Sequence, residues 1–364
     1  MTTETFDVAV CGASLSGCAA AILLARKGLR VVLLEKSTDV DAYKKTCTHF
    51  IQPSARPTLE RLGLDVEMEK AGAVRTGVNF WTPHGWIPWA VDGDHWGYNF
   101  CREKLDPMIR KRAAETHGVE LLLGHSVSGV EKESGRVVGV VADDKATGKA
   151  RAIRAKLVVA ADGRYSKIAD MAGVPKNETP HNRFVYFAYY DDIALRGAPD
   201  STIWLAPPNF AYAFPGDGGR TLLAAFVHKN ELATWKGNVE KSFLALYDSL
   251  ARAPDLRKAK RVSEFLGMIE LPNHTRDAWK PGIAFVGDAA LTSDPVFGIG
   301  CGWALQSADW LAETANEDLD DASLARYAAT HAKRLRPHHA IIADLSGGRP
   351  LNVIEKLTFS ACTR

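Results

Sequence analysis

Apolar positions near the N-terminus fall into short runs separated by small or polar residues. Phe6 to Cys11 is a Val-rich run and Gly12 to Gly17 a turn of small residues. Cys18 to Lys27 is rich in Ala and Leu and is closed by Gly28, and Arg30 to Leu34 is a second apolar run that ends at Glu35. Continuous runs of this length predict buried parallel strands, with a helix between them that stops at a glycine cap. Strand, glycine turn, helix, strand and terminal acid make one βαβ unit. The same type of run returns at Val119 to Leu123, at Leu157 to Ala161 before Asp162-Gly163, and at Ile283 to Val286 before Gly287-Asp288. Helices are predicted over 56–62, 102–117, 239–250, 300–315 and 322–334. Val127 to Val141 alternates as a hairpin does, with Ser134-Gly135 at its turn.

Between about Asn182 and Leu271 the pattern changes. Val185, Phe187 and Tyr189 alternate with other residues, as do Ile203, Leu205 and the stretch Leu222 to Val227. This spacing predicts an antiparallel sheet. The expected architecture is therefore α/β, with Rossmann-like material at both ends and a sheet lobe between them. The expected divisions are 1–181 and 272–345 for the two parts of the βαβ domain, 182–271 for the lobe, and 346–364 for a C-terminal tail.

Composition narrows the function. The 364 residues suit about two domains of roughly 150 residues each. Lys and Arg number 45 against 43 Asp and Glu, a formal charge of +2, which argues against a nucleic-acid binder. None of the six cysteines forms a CxxC pair, so no metal site is predicted. The longest apolar run, Cys18 to Ala25, is far shorter than the roughly 20 residues of a membrane span. Met1 to Asp7 is polar and acidic rather than a signal peptide. A cytoplasmic protein without integral membrane contact is the expectation.

The turn Gly12-Ala13-Ser14-Leu15-Ser16-Gly17 has the chemistry of a dinucleotide site. Such a site needs a first Gly for the tight turn, a small third residue so that a pyrophosphate can approach, and a sixth Gly for helix–strand packing. Ser14 is small, and its hydroxyl can bond a phosphate. The helix that follows offers N–H donors and a positive dipole. Glu35 is placed to accept from a ribose hydroxyl. Gly12, Ser14, Ser16, Gly17, Glu35 and the adjoining Lys36 form the first candidate cofactor-binding set. The alternative reading is a packing turn without a ligand.

Two further segments extend this reading. Leu157-Val-Val-Ala-Ala-Asp162-Gly163-Arg-Tyr-Ser166 resembles the second fingerprint of the flavoprotein monooxygenases and their relatives. Gly282-Ile-Ala-Phe-Val-Gly287-Asp288-Ala289-Ala290, followed by Pro295, Gly298 and Gly300, resembles the third. The resemblance covers residues 5–316 and implies FAD as cofactor. It implies that Asp288 contacts the ribityl chain and that Asp162 and Gly163 lie near the pyrophosphate. The segment Pro295, Gly298 and Gly300 would open a helix toward the flavin, and Arg102 would reach the phosphates. Ala169 and Gly302 stand where well-studied aromatic hydroxylases carry Arg and Asn.

Several activities share this architecture. Phe210-Ala-Tyr212-Ala-Phe214-Pro215 is similar to the cavity-lining stretch of geranylgeranyl-reductase-like enzymes. Trp86-Ile-Pro-Trp89 has the letters but not the order of a halogenase motif. The expected reaction is an NAD(P)H-dependent monooxygenation of a small aromatic or natural-product-like substrate. Alternatives are a flavin-dependent reductase of carbon–carbon double bonds and a non-catalytic dinucleotide-binding protein. No second glycine fingerprint marks an NAD(P)H domain, so hydride arrives transiently at the flavin or reduced flavin comes from a separate flavin reductase. His49, with a side chain that titrates near neutrality, and Tyr212 are the catalytic candidates. Tyr189, Trp204, Tyr212 and Phe214 are the candidate aromatic wall.

Overall fold

The computed structural model describes residues 3–87, 95–195 and 200–363. The strand Thr3–Cys11 lies at the centre of the first sheet. It pairs in parallel with Ala150–Ala160 on one side and Val31–Glu35 on the other. Val119–Leu123 continues the sheet beyond Val31–Glu35, and Ile283–Phe285 lies parallel beyond Ala150–Ala160. The three apolar runs before Gly12, Asp162 and Gly287 thus lie side by side, so their C-terminal ends open on one edge. Ligands of doubly wound sheets bind at that edge. Helix Leu15–Ala25 is buried at every residue but Leu23. Its alanines let it pack closely against helix Gly300–Thr314.

The second sheet runs in the order Lys260–Arg261, Arg183–Asp191, Thr221–His228, Asn209–Pro215, Ser201–Ala206, Val78–Thr82, Gly85–Ile87, with Leu266–Met268 also paired to Arg183–Asp191. Two features differ from the sequence expectation. The strands at 78–87 enter this sheet from the stretch expected to belong to the first part of the βαβ domain. Val78–Thr82 also pairs in parallel with Ser201–Ala206, in an otherwise antiparallel sheet. Strand pairing is a long-range choice, which local alternation does not encode.

Both faces of this sheet are covered. Phe184, Ala188, Tyr190, Trp204 and Val227 pack under Trp235, Phe243 and Tyr247 of helices Leu232–Gly237 and Val239–Ser249. Val185, Phe187, Ile203, Tyr212, Phe214 and Phe226 face the other way, toward Phe50, Val296 and Ile299. The helix expected to end at Arg334 continues through Pro337 to Ser346. The expected tail holds a helix, Val353–Cys362, opened by a reciprocal Asn352–Glu355 capping box. Among the described residues, no helix is long and apolar enough to cross a membrane.

Candidate functional site

A cavity of about 770 Å³ lies over the C-terminal edge of the first sheet. It gathers Gly12, Ser14, Ser16, Glu35, Lys36, Arg102, Asp162, Gly163, Asp288, Pro295, Gly298 and Gly300 from the expected cofactor set. Gly17 does not line it and serves packing instead. A Cβ at Gly17 would sit 1.8 Å from the Gly12 carbonyl oxygen, and one at Gly12 would sit 2.5 Å from the Ala161 carbonyl oxygen. Gly12 also has φ +110°, a conformation that favours glycine. The turn is therefore pinned between its own helix and the second fingerprint.

This cradle can hold an anionic dinucleotide. Ser14 is the N-cap of helix Leu15–Ala25, yet its side chain makes no cap bond to that helix. Its Oγ accepts from Arg102 Nη2 at 2.7 Å. The first N–H groups of the helix keep their capacity for an anion. Arg102 is buried and held by Asp106, whose Oδ1 accepts from its Nε at 2.7 Å. The guanidinium thus stands beside the glycine turn. Glu35 accepts from the N–H groups of Ala13 and Ser37, each at 2.9 Å, which ties the second strand's end to the turn.

Asp288 sits in the short turn Gly287–Ala289, just past the strand end. Burial alone would raise its pKa, but nearby Lys44 and Arg164 outweigh this and hold it below the ordinary carboxylate value. Lys44 Nζ lies 3.0 Å from its Oδ2 across the cavity. The sequence reading missed Lys44 because it lies in an irregular polar stretch with no periodicity. Asp162 is used differently. Its Oδ1 accepts from the Ser166 hydroxyl at 2.5 Å and its Oδ2 from the Ile168 N–H at 3.2 Å. Its carboxyl steadies the start of helix Lys167–Ala172, although the residue still lines the cavity.

The two catalytic candidates are placed elsewhere. His49 is buried and does not line the cavity. Its Nδ1 accepts from the Arg102 N–H at 2.8 Å, and its Nε2 meets the Tyr189 hydroxyl. An Nδ1 that accepts leaves the proton on Nε2, facing Tyr189. Burial lowers the His49 pKa, with Cys47 opposing and Arg102 adding to the effect. His49 therefore secures the start of helix Arg102–Glu115. Tyr212 is fully buried, and its hydroxyl donates to the Pro295 carbonyl at 2.6 Å. It braces the Pro295 turn from beneath. We expect Tyr212→Phe to cost about 1–3 kcal/mol of stability through the unpaired carbonyl. The pH profile of turnover should keep its shape, whereas loss of a limb of that profile would restore a catalytic role.

The expected aromatic wall is also replaced. Trp204 lies on the opposite face of the lobe sheet, edge-on to Tyr247. Tyr212 and Phe214 stack beneath the surface. The lobe's contribution to the cavity is Val185, Phe187, Phe226, Met268 and Leu271. Trp86 lies in strand Gly85–Ile87, while Trp89 of the same expected motif lies outside the described residues.

The family model described as "FAD binding domain" matches residues 5–343. The chain belongs to this family and is an FAD-dependent oxidoreductase. The digeranylgeranylglycerophospholipid reductase of Thermoplasma acidophilum is 25% identical over 325 residues, covering 87% of this chain and 79% of the relative. Among solved structures, the myxobacterial chondrochloren halogenase CndH has a TM-score of 0.82 at 21% identity. That match covers 98% of this chain and 89% of the halogenase. The p-nitrophenol 4-monooxygenase PnpA of Pseudomonas putida has a TM-score of 0.79 at 20% identity, covering 99% of this chain and 93% of the other. At such identities these two structures establish the shared fold.

Proposed function

We propose that this enzyme is an NAD(P)H-dependent monooxygenase acting on a largely apolar organic molecule. One atom of O₂ enters the product and the other leaves as water, with the nicotinamide supplying two electrons. The observation that carries this reading is the continuity of the cavity. Fingerprint residues form one wall, and Val185, Phe187, Phe226, Met268 and Leu271 form another. A substrate held on the apolar wall would share one cavity with the cofactor.

In this reading Arg102, Ser14 and the start of helix Leu15–Ala25 hold the FAD phosphates, Glu35 a ribose, and Asp288 the ribityl hydroxyls. FAD supplies two-electron transfer and oxygen activation. The chain's own task is to bind, orient and keep water out. His49 and Tyr212 have their polar atoms engaged elsewhere, so we assign neither as acid or base. A cytoplasmic location and a transient nicotinamide site, or a separate flavin reductase, complete the proposal.

A second reading, reduction of an isolated carbon–carbon double bond, is favoured by relatives named digeranylgeranylglycerophospholipid reductases. Oxygen separates the two. FAD-loaded protein is incubated with NADPH or NADH and a panel of apolar aromatic and isoprenoid compounds, with and without air. We expect a product heavier by one oxygen atom, formed only in air. A product heavier by two hydrogens, formed without air, would replace the monooxygenase by the reductase.

A further inference from the structure

Two of the six cysteines meet inside the cavity. Sγ of Cys47, in the irregular segment after Glu35, lies 3.6 Å from Sγ of Cys301, the second residue of helix Gly300–Thr314. Both residues line the cavity. Arg102 Nη1 lies 3.8 Å from each sulfur, and the His49 N–H donates to Cys47 Sγ at 3.3 Å. Cys11, which also lines the cavity, and Cys18, which does not, have no such donors among the described residues. They are buried in the apolar core, where burial pushes their thiols up.

A thiolate needs donors and positive charge. Cys47 has a guanidinium, a backbone N–H and the neighbouring S–H. Either sulfur can donate the S–H between them, but the His49 N–H reaches Cys47 alone, which favours the thiolate there and draws Cys47 down while Cys301 is pushed up. Exposure also divides the roles. Cys47 is partly exposed, while Cys301 is buried. Sulfurs this close need to approach by only about 1.5 Å to reach a disulfide bond length of about 2.0 Å.

We infer that Cys47 and Cys301 are a redox pair, with Cys47 the attacking thiolate and Cys301 the resolving thiol. Cys47 attacks one sulfur of a low-molecular-weight disulfide, forming a mixed disulfide and expelling a thiolate. Cys301 then attacks Cys47 Sγ, closes the internal disulfide and expels the second thiolate. The cysteine sulfurs lose two electrons, and the external disulfide gains them. The single proton of the pair leaves on one of the two released sulfurs, and the other departs as thiolate. The product ties the segment after Glu35 to the start of helix Gly300–Thr314 across the cavity. A reducing compartment would keep the pair open and oxidative conditions would lock it.

The test equilibrates the full-length protein, with and without FAD, in buffers of reduced and oxidised glutathione, followed by acid quenching and alkylation. We expect Cys47 and Cys301 to lose alkylation together as the buffer becomes oxidising. A cross-linked peptide lacking two hydrogens should contain both. Cys47→Ser and Cys301→Ser should each abolish it, and Cys362→Ser should leave it unchanged. Independent glutathionylation of the two cysteines without a cross-link would overturn the inference, as would a cross-link through Cys362.

A second readout rests on the FAD reading. Oxidised flavin beside the reduced pair should show a long-wavelength absorbance shoulder, absent in Cys47→Ser. If the disulfide forms but no flavin band appears at all, the redox pair stands and the FAD assignment falls. A wild-type flavin band with no cross-link under any buffer leaves the FAD assignment intact and removes the pair.

Discussion

Gly12→Val is expected to give a folded protein that has lost at least about 100-fold in FAD affinity, or roughly 2.7 kcal/mol. The substitution acts twice. Gly12 has φ +110°, where an L side chain costs about 1–3 kcal/mol. Its new Cβ would also stand 2.5 Å from the Ala161 carbonyl oxygen, a backbone atom that moves only if the second fingerprint moves. Relief by displacing the turn separates Ser14 from Arg102 and opens the phosphate cradle. Equilibrium dialysis against FAD, with circular dichroism as the check on folding, measures this. Affinity within about threefold of wild type, or roughly 0.7 kcal/mol, would mean that the turn is not the phosphate site.

Asp294→Ala should be the most destabilising single change near the site, at about 3–5 kcal/mol. Asp294 and Arg183 are fully buried. Asp294 Oδ2 accepts from His181 Nε2 at 2.7 Å and from Arg183 Nε at 3.0 Å, and its Oδ1 accepts from the Val296 N–H at 2.9 Å. Arg183 Nη2 lies 2.9 Å from Oδ2 but off line for a hydrogen bond, so it contributes charge alone. Removing the carboxylate leaves a buried guanidinium with the Leu345 carbonyl, 3.2 Å from Nη1, as its remaining hydrogen-bond acceptor. It also removes one tie between the Pro295 turn and the lobe, leaving the Tyr212 hydroxyl on the Pro295 carbonyl. Asp294→Asn should cost less, because it keeps an acceptor.

The same cluster sets the acid limit. Burial would raise the Asp294 carboxyl, but Arg183 and His181 outweigh it and hold it below the ordinary value. A carboxyl depressed in the folded state adds stability that is fully present above its unfolded value of about 3.9. That stability is lost as pH falls through the folded value. Denaturation midpoints measured from neutral to acid pH should therefore fall below about pH 4 in wild type. They should fall less steeply in Asp294→Asn, and parallel acid limbs would contradict the assignment.

The parts legible in the sequence were those set by local pattern. Three apolar runs, each ending in a glycine or Asp-Gly turn, announced three parallel strands with a site at their ends. Of the cofactor-binding residues expected from the fingerprints, all but Gly17 line the cavity. The illegible parts depend on what meets across the fold. Lys44 and Cys47 lie in a stretch without periodicity, and only the tertiary structure sets them against Asp288 and Cys301. Tyr212 stands out in its sequence motif, yet its hydroxyl is consumed by the Pro295 carbonyl. Trp204 and Phe187 look equally suited to a pocket wall. Strand register decides which of them faces the cavity, because successive side chains point to opposite sides. His49 was judged by its ability to titrate, but its neighbours fix both ring nitrogens.

The central claim is that this cavity binds FAD and lets it exchange electrons, and the visible spectrum tests it most directly. Purified protein is loaded with FAD, freed of excess and scanned before and after addition of NADPH or NADH without air. We expect a flavin band corresponding to one FAD per chain, bleached by a nicotinamide or by a supplied flavin reductase, and restored when air is admitted. A protein that stays colourless after loading, with its fold intact, would contradict the account.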